Sequence, residues 1–506
     1  MRLSRLADGF ECRGPHDPEV TGVSEDSRRI TPGMLFVAVP GTAEDGHAFV
    51  AHALSRGAAA IVAERAVDVP EGVPLVRVDS ARRGLAVLAA RFYGHPAAEL
   101  ELVGFTGTFG KTSTSEILRA LLAAGGFRPG VLGSLGARYG DFLDPGTGLT
   151  TPAPVELHRA LRGLRDAGAG TAIIEVTSHA LRMDRVYGLA FSGGVIAAIT
   201  PGEHTDFHHT YEDYVAAKRL FLEYLAQDAV LAFDADNRVA AALASEARVA
   251  TRAGVSVEGR PAALQLSDIA LDHTGARFVL GGSYPDRLRS TSCLLPPESK
   301  RSSGGYPLHS ALLGRGHLRN VALALAYATA AGVTISDAAA VLRDLSPLRR
   351  RMESYSAGGR TVLDDTAAHP DSFRATFEVA DLLAAGLMTT RGQCSIAVVY
   401  AVRGHRGVDI NRRNALALAD LTALHGADSL IVTAASDAVG PSDLASAAEV
   451  DASRDAFTER GTTFVWHDGL RNAMRTAAER TRAGDLVVLV GAQGMNEGKR
   501  LLSEEI

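Results

Sequence analysis

A glycine-rich segment that ends in a lysine and a threonine carries the clearest chemistry in this sequence. It reads GFTGTFGKT over residues 104–112. A strand is predicted before it and a helix after it, so backbone N–H groups and the helix N-terminus can face phosphate oxygens. Lys111 is expected to reach the β- and γ-phosphates of a nucleotide, and Thr112 to coordinate Mg²⁺. The spacing is not the standard one, because Phe105 occupies the first glycine position, and an ordinary glycine turn with an exposed lysine is the alternative.

Acidic and imidazole side chains follow the next two predicted strands. Glu175 lies near the end of TAIIEV (171–176), and ligands of open α/β sheets bind at such carboxyl ends. Its carboxylate could hold a metal ion on the phosphates, or it could be a capping or ion-paired residue. The strand VIAAIT (195–200) runs into Glu203, His204, Asp206, His208 and His209. This cluster suits Mg²⁺ or phosphate contact, zinc is an alternative metal, and a solvated polar loop is a third interpretation.

A lysine on the apolar face of the next predicted helix requires an explanation. In YEDYVAAKRLFLEYL (211–225), Lys218 lies four residues after Tyr214 and three before Phe221, on the face that they share. An unpaired ammonium is costly to bury. Either the stem is buried and the amine reaches water, which is the usual outcome, or the amine is chemically modified.

The composition limits the class of protein. The chain has 506 residues, 46% hydrophobic and 22% charged, as in a soluble globular protein of roughly two to four domains. Its net charge of −6 argues against a nucleic-acid partner. Cys12, Cys293 and Cys394 are far apart and predict neither a disulfide framework nor a zinc site. Neither a signal peptide nor a membrane span is predicted, so we expect a cytoplasmic protein without a membrane partner.

Strands alternate with helices along most of the chain, which predicts parallel α/β sheets. We divide the sequence into three predicted domains, residues 1–100, 101–345 and 346–506, and the last has the doubly wound pattern. Residues 283–308 are rich in Ser, Pro, Gly and Arg and are predicted to be a loop. The predicted strands are 34–41, 60–64, 101–107, 171–176, 195–200, RTVLDD, SIAVVY, SLIVT, TFVW and DLVVLVG, and the predicted helices are 49–58, 81–94, 112–126 and 211–225.

The order and spacing of these segments resemble the Mur ligases of peptidoglycan assembly. The nearest branch is the MurE type, the UDP-N-acetylmuramoyl-dipeptide ligases that add the third amino acid. VTGVSEDSRRITPGMLFVAVPGTAEDGHAF (20–49) is similar to that branch's uridine-binding segment, and TGTFGKTST to the family's TGTNGKT loop. TTPAPVELHRAL, EVTSHALRMDRV, HxDFH…YxxAKxxLF, RMES and DDTAAHPDS follow in the same order. The resemblance covers nearly the whole chain.

The resemblance implies a three-domain fold, with a substrate-nucleotide domain, a central P-loop ATPase domain and a C-terminal Rossmann-like domain. ATP and Mg²⁺ are the implied cofactors. The implied ATP-binding residues are Gly107, Thr108, Gly110, Lys111, Thr112, Ser113, Asn320, Arg351 and Asp365. The implied Mg²⁺ ligands are Thr112, Glu175, His204 and Lys218, the last as a carbamate formed with CO₂, and Lys111, Glu175, His204 and Lys218 would be catalytic.

The resemblance also implies where the substrate binds. Its uridine end would face Ser27, Arg28, Asp45 and His47, its diphosphate and sugar would face Thr150, Thr151, Ser178 and Arg185, and Arg406 would lie in the amino-acid site. A substrate carboxylate would attack the γ-phosphate while Lys111 and two Mg²⁺ ions offset the developing charge. An amino-acid amine would then displace phosphate from the acyl phosphate, leaving ADP and an amide. Domain closure would exclude the water that hydrolyses this intermediate.

Several positions depart from the family pattern. Phe109 replaces the loop asparagine, Glu203 replaces an aspartate, and His317 stands where an asparagine is usual. DYAHTPD becomes DTAAHPD at residues 365–371. On the acceptor side, GGDRD, DNPR and GKGHE become RGHRG (403–407), ASDA (435–438) and GAQGM (491–495). The arginine that would grip the distal carboxylate of diaminopimelate is missing, so a different amino acid is expected.

Three functional hypotheses follow from these features. The first is a Mur ligase of cell-wall synthesis that adds an amino acid other than diaminopimelate to a nucleotide-sugar peptide. The second is a relative in another pathway that joins a different carboxylate and amine with the same ATP chemistry. The third is a non-catalytic nucleotide-binding paralogue. The retained DSR and DGH segments favour the first, Phe109 and the altered acceptor motifs favour the second, and the intact lysines argue against the third.

Overall fold

The computed structural model describes residues 1–41, 44–201, 207–282, 305–391, 394–441 and 443–506. Internal packing divides the chain into two units. The first comprises Met1–Leu266, Gly281–Gly305 and Asn320–Ala338, and the second comprises Ser267–Leu280, Tyr306–Arg319 and Ala339–Ile506. Within the described ranges, no helix is both long enough and apolar enough to cross a membrane.

A small sheet forms the N-terminal part of the first unit. Its strands are β1 (Glu11–Arg13), β2 (Gly22–Ser24), β3 (Met34–Val37), β4 (Ala60–Ala63) and β5 (Leu75–Arg77), in the order β1-β5-β4-β3-β2. The strands β2 to β5 are parallel, and β1 is antiparallel to β5. Alternate residues of β3 and β4 enter two different apolar clusters, as expected of strands buried on both faces. The accompanying helices are α1 (Leu3–Leu6), α2 (Val50–Ser55) and α3 (Ala81–Phe92), with 3₁₀ turns at Ser27–Arg29, Gly46–Phe49 and Pro96–Glu99.

A larger sheet makes up most of the remaining first unit. Its strands are β6 (Glu101–Thr106), β7 (Pro129–Gly133), β8 (Gly136–Tyr139), β9 (Phe142–Asp144), β10 (Thr171–Glu175), β11 (Phe191–Ile196), β12 (Leu225–Asp234), β13 (Thr251–Ser256) and β14 (Leu264–Asp272). The order is β14-β13-β12-β11-β6-β10-β7-β8-β9, and the first unit includes β14 only as far as Leu266. The helices are α4 (Lys111–Ala124), α5 (Pro154–Asp166), α6 (Ser178–Arg182), α7 (Tyr211–Arg219) and α8 (Arg238–Glu246), with a 3₁₀ turn at Leu220–Tyr224. The strand β6 pairs in parallel with both β10 and β11, so the loop after β6 lies where such sheets bind ligands.

Close packing beneath this loop depends on a glycine in β6. A Cβ atom on Gly104 would lie 2.4 Å from Cε2 of Phe221, a ring that is fully buried in the core. Phe221 follows Lys218 on the apolar face predicted from the sequence, and Tyr214 of the same face is also buried. The core under the sheet therefore sets the position of the α7 segment relative to the end of β6.

The second unit contains a hairpin and a doubly wound sheet. The hairpin pairs β15 (Gly275–Gly282) with β16 (Tyr306–Ser310). The sheet has β17 (Glu353–Ala357), β18 (Arg360–Asp365), β19 (Ile396–Ala401), β20 (Ser429–Thr433), β21 (Val465–His467) and β22 (Leu486–Val490), in the order β17-β18-β22-β19-β20-β21. Its strands are parallel except for β17. Helices α9 (Gly314–Ala330) and α10 (Ile335–Asp344) cross the unit boundary, and α11 (Pro370–Arg391), α12 (Val408–Leu424), α13 (Ala447–Glu459), α14 (Leu470–Arg480) and α15 (Gly498–Glu505) belong to the second unit, with a 3₁₀ turn at Gln493–Met495.

Most predicted elements begin close to these bounds, although the strand predicted at 34–41 ends at Val37 and the helix predicted at 49–58 ends at Ser55. Three other predictions differ in a further way. The strand predicted at 195–200 spans Phe191–Ile196, because its last residues turn towards the phosphate loop: the N–H of Thr108 donates to the carbonyl of Ala198 at 2.8 Å. The helix predicted at 211–225 ends at Arg219 and continues as a 3₁₀ turn. The predicted loop 283–308 is wrong at its end, where residues from Tyr306 pair with β15, and its residues 283–304 lie outside the described part of the chain.

Candidate active site

The glycine-rich segment connects β6 directly to α4. Gly110 has a φ of +79° and precedes the first helical residue, Lys111, a conformation that glycine adopts without steric cost. A Cβ atom at this position would lie 2.4 Å from Oδ1 of Asn320. Asn320 is therefore packed against the loop although it lies far away in the sequence, and two predicted ATP-binding residues are brought together.

The amine of Lys111 folds back over the loop. Its Nζ donates to the carbonyl oxygens of Gly107 at 3.0 Å and Thr108 at 3.1 Å. The Thr108 side chain is buried, and its hydroxyl lies 3.1 Å from the hydroxyl of Tyr214. Ser113 lies in the first turn of α4, and Phe109 at the tip of the loop is 37% exposed. The loop is thus held by α7 on one side and presents its lysine at the carboxyl end of β6.

The carboxylate of Glu175 reaches the start of α4 from the neighbouring strand β10. It is buried, and Oε2 accepts a hydrogen bond from the Thr112 hydroxyl at 3.0 Å. Oε1 accepts from the backbone N–H of Ser134 at 3.1 Å, after β7. A Cβ atom on Gly133 would lie 2.1 Å from Oε1, so only glycine leaves room for this carboxylate. Three neighbouring strands therefore place one carboxylate beside the phosphate loop.

Lys218 is buried, as its place on the apolar face predicts, with only 2% of its surface exposed. The amine does not reach water, so the interpretation that it extends to the surface is wrong. Its Nζ donates to the carbonyl of Gly107 at 2.9 Å and lies 4.7 Å from the centroid of the Tyr214 ring. Burial, with the nearby Lys111 ammonium as a smaller cause, lowers the pKa of Lys218 well below its usual value. Two lysine amines thus converge on one carbonyl oxygen, which disfavours a positive charge on both.

The described groups fit a magnesium nucleotide. Mg²⁺ prefers oxygen ligands such as carboxylates and hydroxyls. Glu175 supplies a carboxylate and Thr112 a hydroxyl, and the two groups are hydrogen-bonded to each other. His204 lies outside the described residues, as do Glu203 and Asp206. In the part of the chain that the structure describes, no three His, Cys, Asp or Glu side chains come together as candidate metal ligands.

The predicted uridine-end residues lie after β2 and before α2. Asp45 caps the 3₁₀ turn by accepting hydrogen bonds from the N–H of His47 at 3.0 Å and from its Nδ1 at 2.6 Å. These bonds, the backbone one first, hold the pKa of Asp45 below its usual value. Nε2 of His47 is buried without a hydrogen-bond partner among the described residues. The imidazole therefore has one unused polar atom.

Ser27 and Arg28 lie in the preceding 3₁₀ turn and face different surroundings. Ser27 is buried, and its hydroxyl lies 2.9 Å from Nδ1 of His52. Arg28 is exposed and forms two hydrogen bonds of 2.9 Å to Asp26, which also caps the turn. The first residue is thus part of the domain's packing, and the second is available at the surface.

The residues predicted to hold the diphosphate and sugar lie beside the Glu175 strand. The Thr151 hydroxyl donates to the carbonyl of Glu175 at 2.8 Å, and the Arg185 guanidinium donates to the carbonyl of Thr151 at 2.9 Å. Burial lowers the pKa of Arg185 below its usual value. The Thr150 hydroxyl lies 3.0 Å from the hydroxyl of Ser134. These contacts join the residues predicted to hold the sugar to the carboxylate predicted to hold the metal ion.

A hydrogen-bond chain links the buried Ser178 and His208 to α7, and the sequence did not predict it. The Ser178 hydroxyl lies 2.9 Å from Nε2 of His208, whose Nδ1 lies 3.3 Å from the carboxylate of Asp213. Burial is the main reason that the pKa of His208 is lowered, which favours the neutral imidazole. The order of His and Asp in the polar cluster was visible in the sequence, but the contact of His208 with Ser178 depends on how α6 packs on α7.

The predicted nucleotide residues of the second unit also come together. Asp365 is buried, accepts a hydrogen bond from the Thr376 hydroxyl at 2.7 Å, and has its pKa raised by burial. Burial lowers the pKa of His317 to about 4, and the positive charge of Arg351 contributes to this shift. The same guanidinium opposes the rise of the Asp365 pKa. Arg351 therefore lies within electrostatic reach of both Asp365 and His317.

Glu449 organises the segment that contains Arg406, and the sequence did not single it out. Its Oε1 accepts hydrogen bonds from the backbone N–H groups of Arg406 at 2.9 Å and Gly407 at 2.7 Å. Its other oxygen forms a capping box with Ser446 at the start of α13. A capping box has a sequence signal, Ser followed three residues later by Glu. Its second task, shaping the Arg406 turn, is decided by tertiary contacts.

Three segments of the chain match descriptions of a single family. Residues 19–93 match "Mur ligase family, catalytic domain", residues 105–328 match "Mur ligase middle domain", and residues 350–493 match "Mur ligase, glutamate ligase domain". A UDP-N-acetylmuramyl-tripeptide synthetase of Roseiflexus sp. (strain RS-1) is 35% identical over 486 residues, which is 94% of this chain and 90% of the relative. The chain belongs to the Mur ligase family.

Other relatives agree with this placement of the Mur ligase. A UDP-N-acetylmuramoyl-L-alanyl-D-glutamate–2,6-diaminopimelate ligase of Listeria monocytogenes is 29% identical over 485 residues, covering 94% of this chain and 89% of the relative. The solved structure of a ligase with that name shares the fold, with a TM-score of 0.65, 21% identity and coverage of 100% and 99%. MurF from Thermotoga maritima in complex with ADP has a TM-score of 0.59, 20% identity and coverage of 96% and 97%.

The predicted class of this Mur ligase is therefore confirmed. It is an ATP-dependent amino-acid ligase with the three-domain α/β architecture of the family, and its cofactors are ATP and Mg²⁺. The boundaries at residues 100 and 345 stay a prediction, as do the roles of the individual site residues.

Proposed function

We propose that this Mur ligase joins an amino acid to a UDP-N-acetylmuramoyl-peptide in peptidoglycan synthesis. The observation that carries the proposal is the meeting of Lys111 and the buried Lys218 on the Gly107 carbonyl, next to the Glu175–Thr112 pair. The similarity to a tripeptide synthetase along 94% of the chain supports this substrate class. We further propose domain bounds of 1–100, 101–345 and 346–506, and the cytoplasmic location stays a prediction.

Lys218 would act as a carbamate. Because burial and Lys111 both disfavour its ammonium form, the neutral amine is available to add CO₂ and release a proton. The product carries a negative charge beside the Lys111 ammonium, so the repulsion between two amines becomes an attraction. Its oxygens would join Glu175, Thr112 and His204 as ligands of Mg²⁺, which offsets charge on the phosphate oxygens when bound.

The remaining residues would orient the reactants. Lys111 lies at the start of α4, where its ammonium can turn from the loop carbonyls to the γ-phosphate. Thr151 and Arg185, joined by a 2.9 Å hydrogen bond, would hold the diphosphate and sugar with the carboxylate directed at that phosphate. The acyl phosphate that forms is then open to the amino-acid amine, and phosphate leaves.

The acceptor is proposed to be an amino acid other than diaminopimelate. In the aligned DNPR positions, Asp437 is already used by the fold, because its carboxylate accepts the backbone N–H groups of Leu470 at 2.5 Å and Arg471 at 3.2 Å. Met495 stands in the aligned GKGHE segment and is fully buried in the apolar core. Two positions of the diaminopimelate pattern thus serve packing and capping instead.

A direct test is phosphate release with UDP-N-acetylmuramoyl-L-alanyl-D-glutamate, ATP and a panel of amino acids, with the product identified by mass. We expect ADP and one conjugate. Turnover with other carboxylates but not with this nucleotide sugar would favour a specialised amide ligase. Phe109 and the altered acceptor motifs would then be adaptations to that other substrate.

Nucleotide binding without turnover on any acid and amine would favour the non-catalytic paralogue. Thermal stabilisation by UDP-sugars separates the first two, since a ligand that binds only the folded state raises its stability.

A further inference from the structure

Arg350 occupies a backbone position that an arginine would normally avoid. Its φ is +57°, in the left-handed region, and Met352 two residues later has a φ of +54°. A Cβ atom makes this region unfavourable by roughly 1–2 kcal/mol, because it comes close to the following carbonyl oxygen, so such residues persist where surrounding contacts determine them. Arg351, a predicted ATP-binding residue, lies between these two positions. The backbone on both sides of Arg351 is therefore held in a conformation that it would not adopt alone.

The contacts that hold this segment come from neighbouring residues of the second unit, of which Asp365 is buried. The N–H of Met352 donates to Oδ1 of Asp365 at 3.3 Å, and the N–H of Thr366 donates to the carbonyl of Arg350 at 3.0 Å. The N–H of Arg350 donates to Oε2 of Glu353 at 2.9 Å. The segment is thus fastened to the end of β18, where Asp365 itself is predicted to contact ATP.

The side chain of Arg350 reaches a different loop. It is 4% exposed, and its Nε donates to Asp364 at 3.0 Å. One terminal nitrogen donates to the carbonyl of Ala492 at 2.8 Å and to Oδ1 of Asn496 at 2.6 Å, and the other donates to the carbonyl of Gly491 at 2.5 Å. The planar five-donor guanidinium is suited to such a fork of acceptors, whereas an ammonium is a single point charge.

The loop that Arg350 grips follows β22, the strand next to β18. These strands are parallel, with Asp364 opposite Leu489 and Asp365 opposite Val490, so the two loops leave the same edge of the sheet. Residues 491–495 replace the family's GKGHE segment on the acceptor side. One buried side chain therefore spans from the nucleotide-contacting segment to the acceptor-side loop.

We propose that Arg350 is a positioning residue that holds Arg351 and Asp365 in their nucleotide-binding arrangement and ties this arrangement to the acceptor-side loop 491–496. The inference rests on the proposed function for the identity of the two ligands. Glycine would adopt this left-handed φ without steric cost. An arginine at this position is therefore explained by the hydrogen bonds of its guanidinium, which glycine cannot form. Asp364 is the buried anion that keeps the guanidinium in place.

The main test uses the full chain with Arg350→Gly, which relieves the φ strain and removes the fork. By isothermal titration calorimetry at a temperature well below unfolding, we expect ADP to bind about tenfold or more weakly, and ethylguanidinium to restore much of the affinity. In turnover, KM for ATP should rise more than kcat falls. The control is Arg475→Ala, because this exposed arginine of the second unit pairs with Glu505 at the surface and should leave ADP affinity unchanged. Unaltered ADP affinity in a folded Arg350→Gly variant would overturn the positioning role.

A second measurement separates this inference from the proposed function. Hydrogen exchange should show that residues 350–353 and 491–496 lose protection together in Arg350→Gly, whether or not any substrate is known. If Arg350→Gly does not fold, Arg350→Lys keeps a charge beside Asp364 but cannot reach all the loop acceptors, and should weaken ADP binding by about three- to tenfold. Loss of protection in only one of these two segments would refute the proposed connection between them through Arg350. A wild-type protein that binds no ADP would instead refute the proposed function, and with it the nucleotide part of this inference.

Discussion

Replacing Lys218 by methionine separates the chemistry of this residue from its packing. The substitution Lys218→Met keeps a long unbranched side chain in a site that is 2% exposed. It removes one hydrogen bond to the Gly107 carbonyl, worth about 1 kcal/mol, and that oxygen still accepts from Lys111 at 3.0 Å. It also removes a buried amine whose charged form costs several kcal/mol. We therefore expect the free energy of unfolding at pH 7 to stay within about 1 kcal/mol of wild type, or to rise.

Activity should respond very differently. If Lys218 carries a carbamate that ligates Mg²⁺, the variant loses a charged ligand, and kcat/KM should fall at least about 100-fold, equivalent to about 2.7 kcal/mol of transition-state stabilisation. Phosphate release measures this, with and without bicarbonate, which should not rescue the variant. Arg219→Met is the matched control, because the next residue on α7 is exposed and paired with Glu246 at the surface. A fully active Lys218→Met variant would refute the carbamate role, and an unfolded one would refute the packing argument.

The pH dependence of stability gives an independent check in CO₂-free buffer. Because the folded-state pKa of Lys218 lies well below its unfolded value, the unfolded chain binds more protons between the two values. The burial penalty is therefore complete below the folded pKa and disappears as the pH rises towards the unfolded value near 10.4. Wild type should gain stability relative to Lys218→Met over this window, measured by denaturant unfolding. Equal pH profiles would show that the amine is not desolvated as the structure indicates.

Three further substitutions test other parts of the site. Lys111→Ala should abolish phosphate release with little change in the thermal unfolding midpoint, and retained ATP turnover would contradict the assignment of the loop. Gly133→Ala should displace the carboxylate of Glu175, because its Oε1 would lie 2.1 Å from the new Cβ. We therefore expect the variant to need a higher Mg²⁺ concentration for half-maximal activity. An unchanged Mg²⁺ requirement would argue against a metal role for this carboxylate. Glu449→Gln loses the charge that two backbone N–H groups share near Arg406, and should raise KM for the amino acid about tenfold while KM for ATP is unchanged.

Local patterns were sufficient for much of the fold. A run such as SLIVT predicts a buried strand, and β20 spans the same residues. The glycine turn between a strand and a helix predicts where α4 begins, because only a left-handed residue such as Gly110 can make that turn cheaply. The place of Lys218 between Tyr214 and Phe221 predicts its inward direction, because helical spacing alone sets the face.

Other contacts could not be derived from the spacing of residues alone. The contact of Asn320 with Gly110, the reach of Glu175 to Thr112, and the His208 bond to Ser178 join residues that are 30 or more positions apart. Sequence spacing carries no information on such pairs until the order of the strands is known. The same holds for Arg350, one of three successive arginines, which its burial and its left-handed backbone distinguish from its neighbours.

The sequence by itself determined the class of fold, the phosphate loop and the inward lysine, because each depends on periodicity or on the backbone freedom of nearby residues. The tertiary structure alone decided which two lysine amines donate to the same carbonyl oxygen, which carboxylates cap helices, and which arginine is buried. Those outcomes depend on strand order and on desolvation, and both are properties of the packed chain.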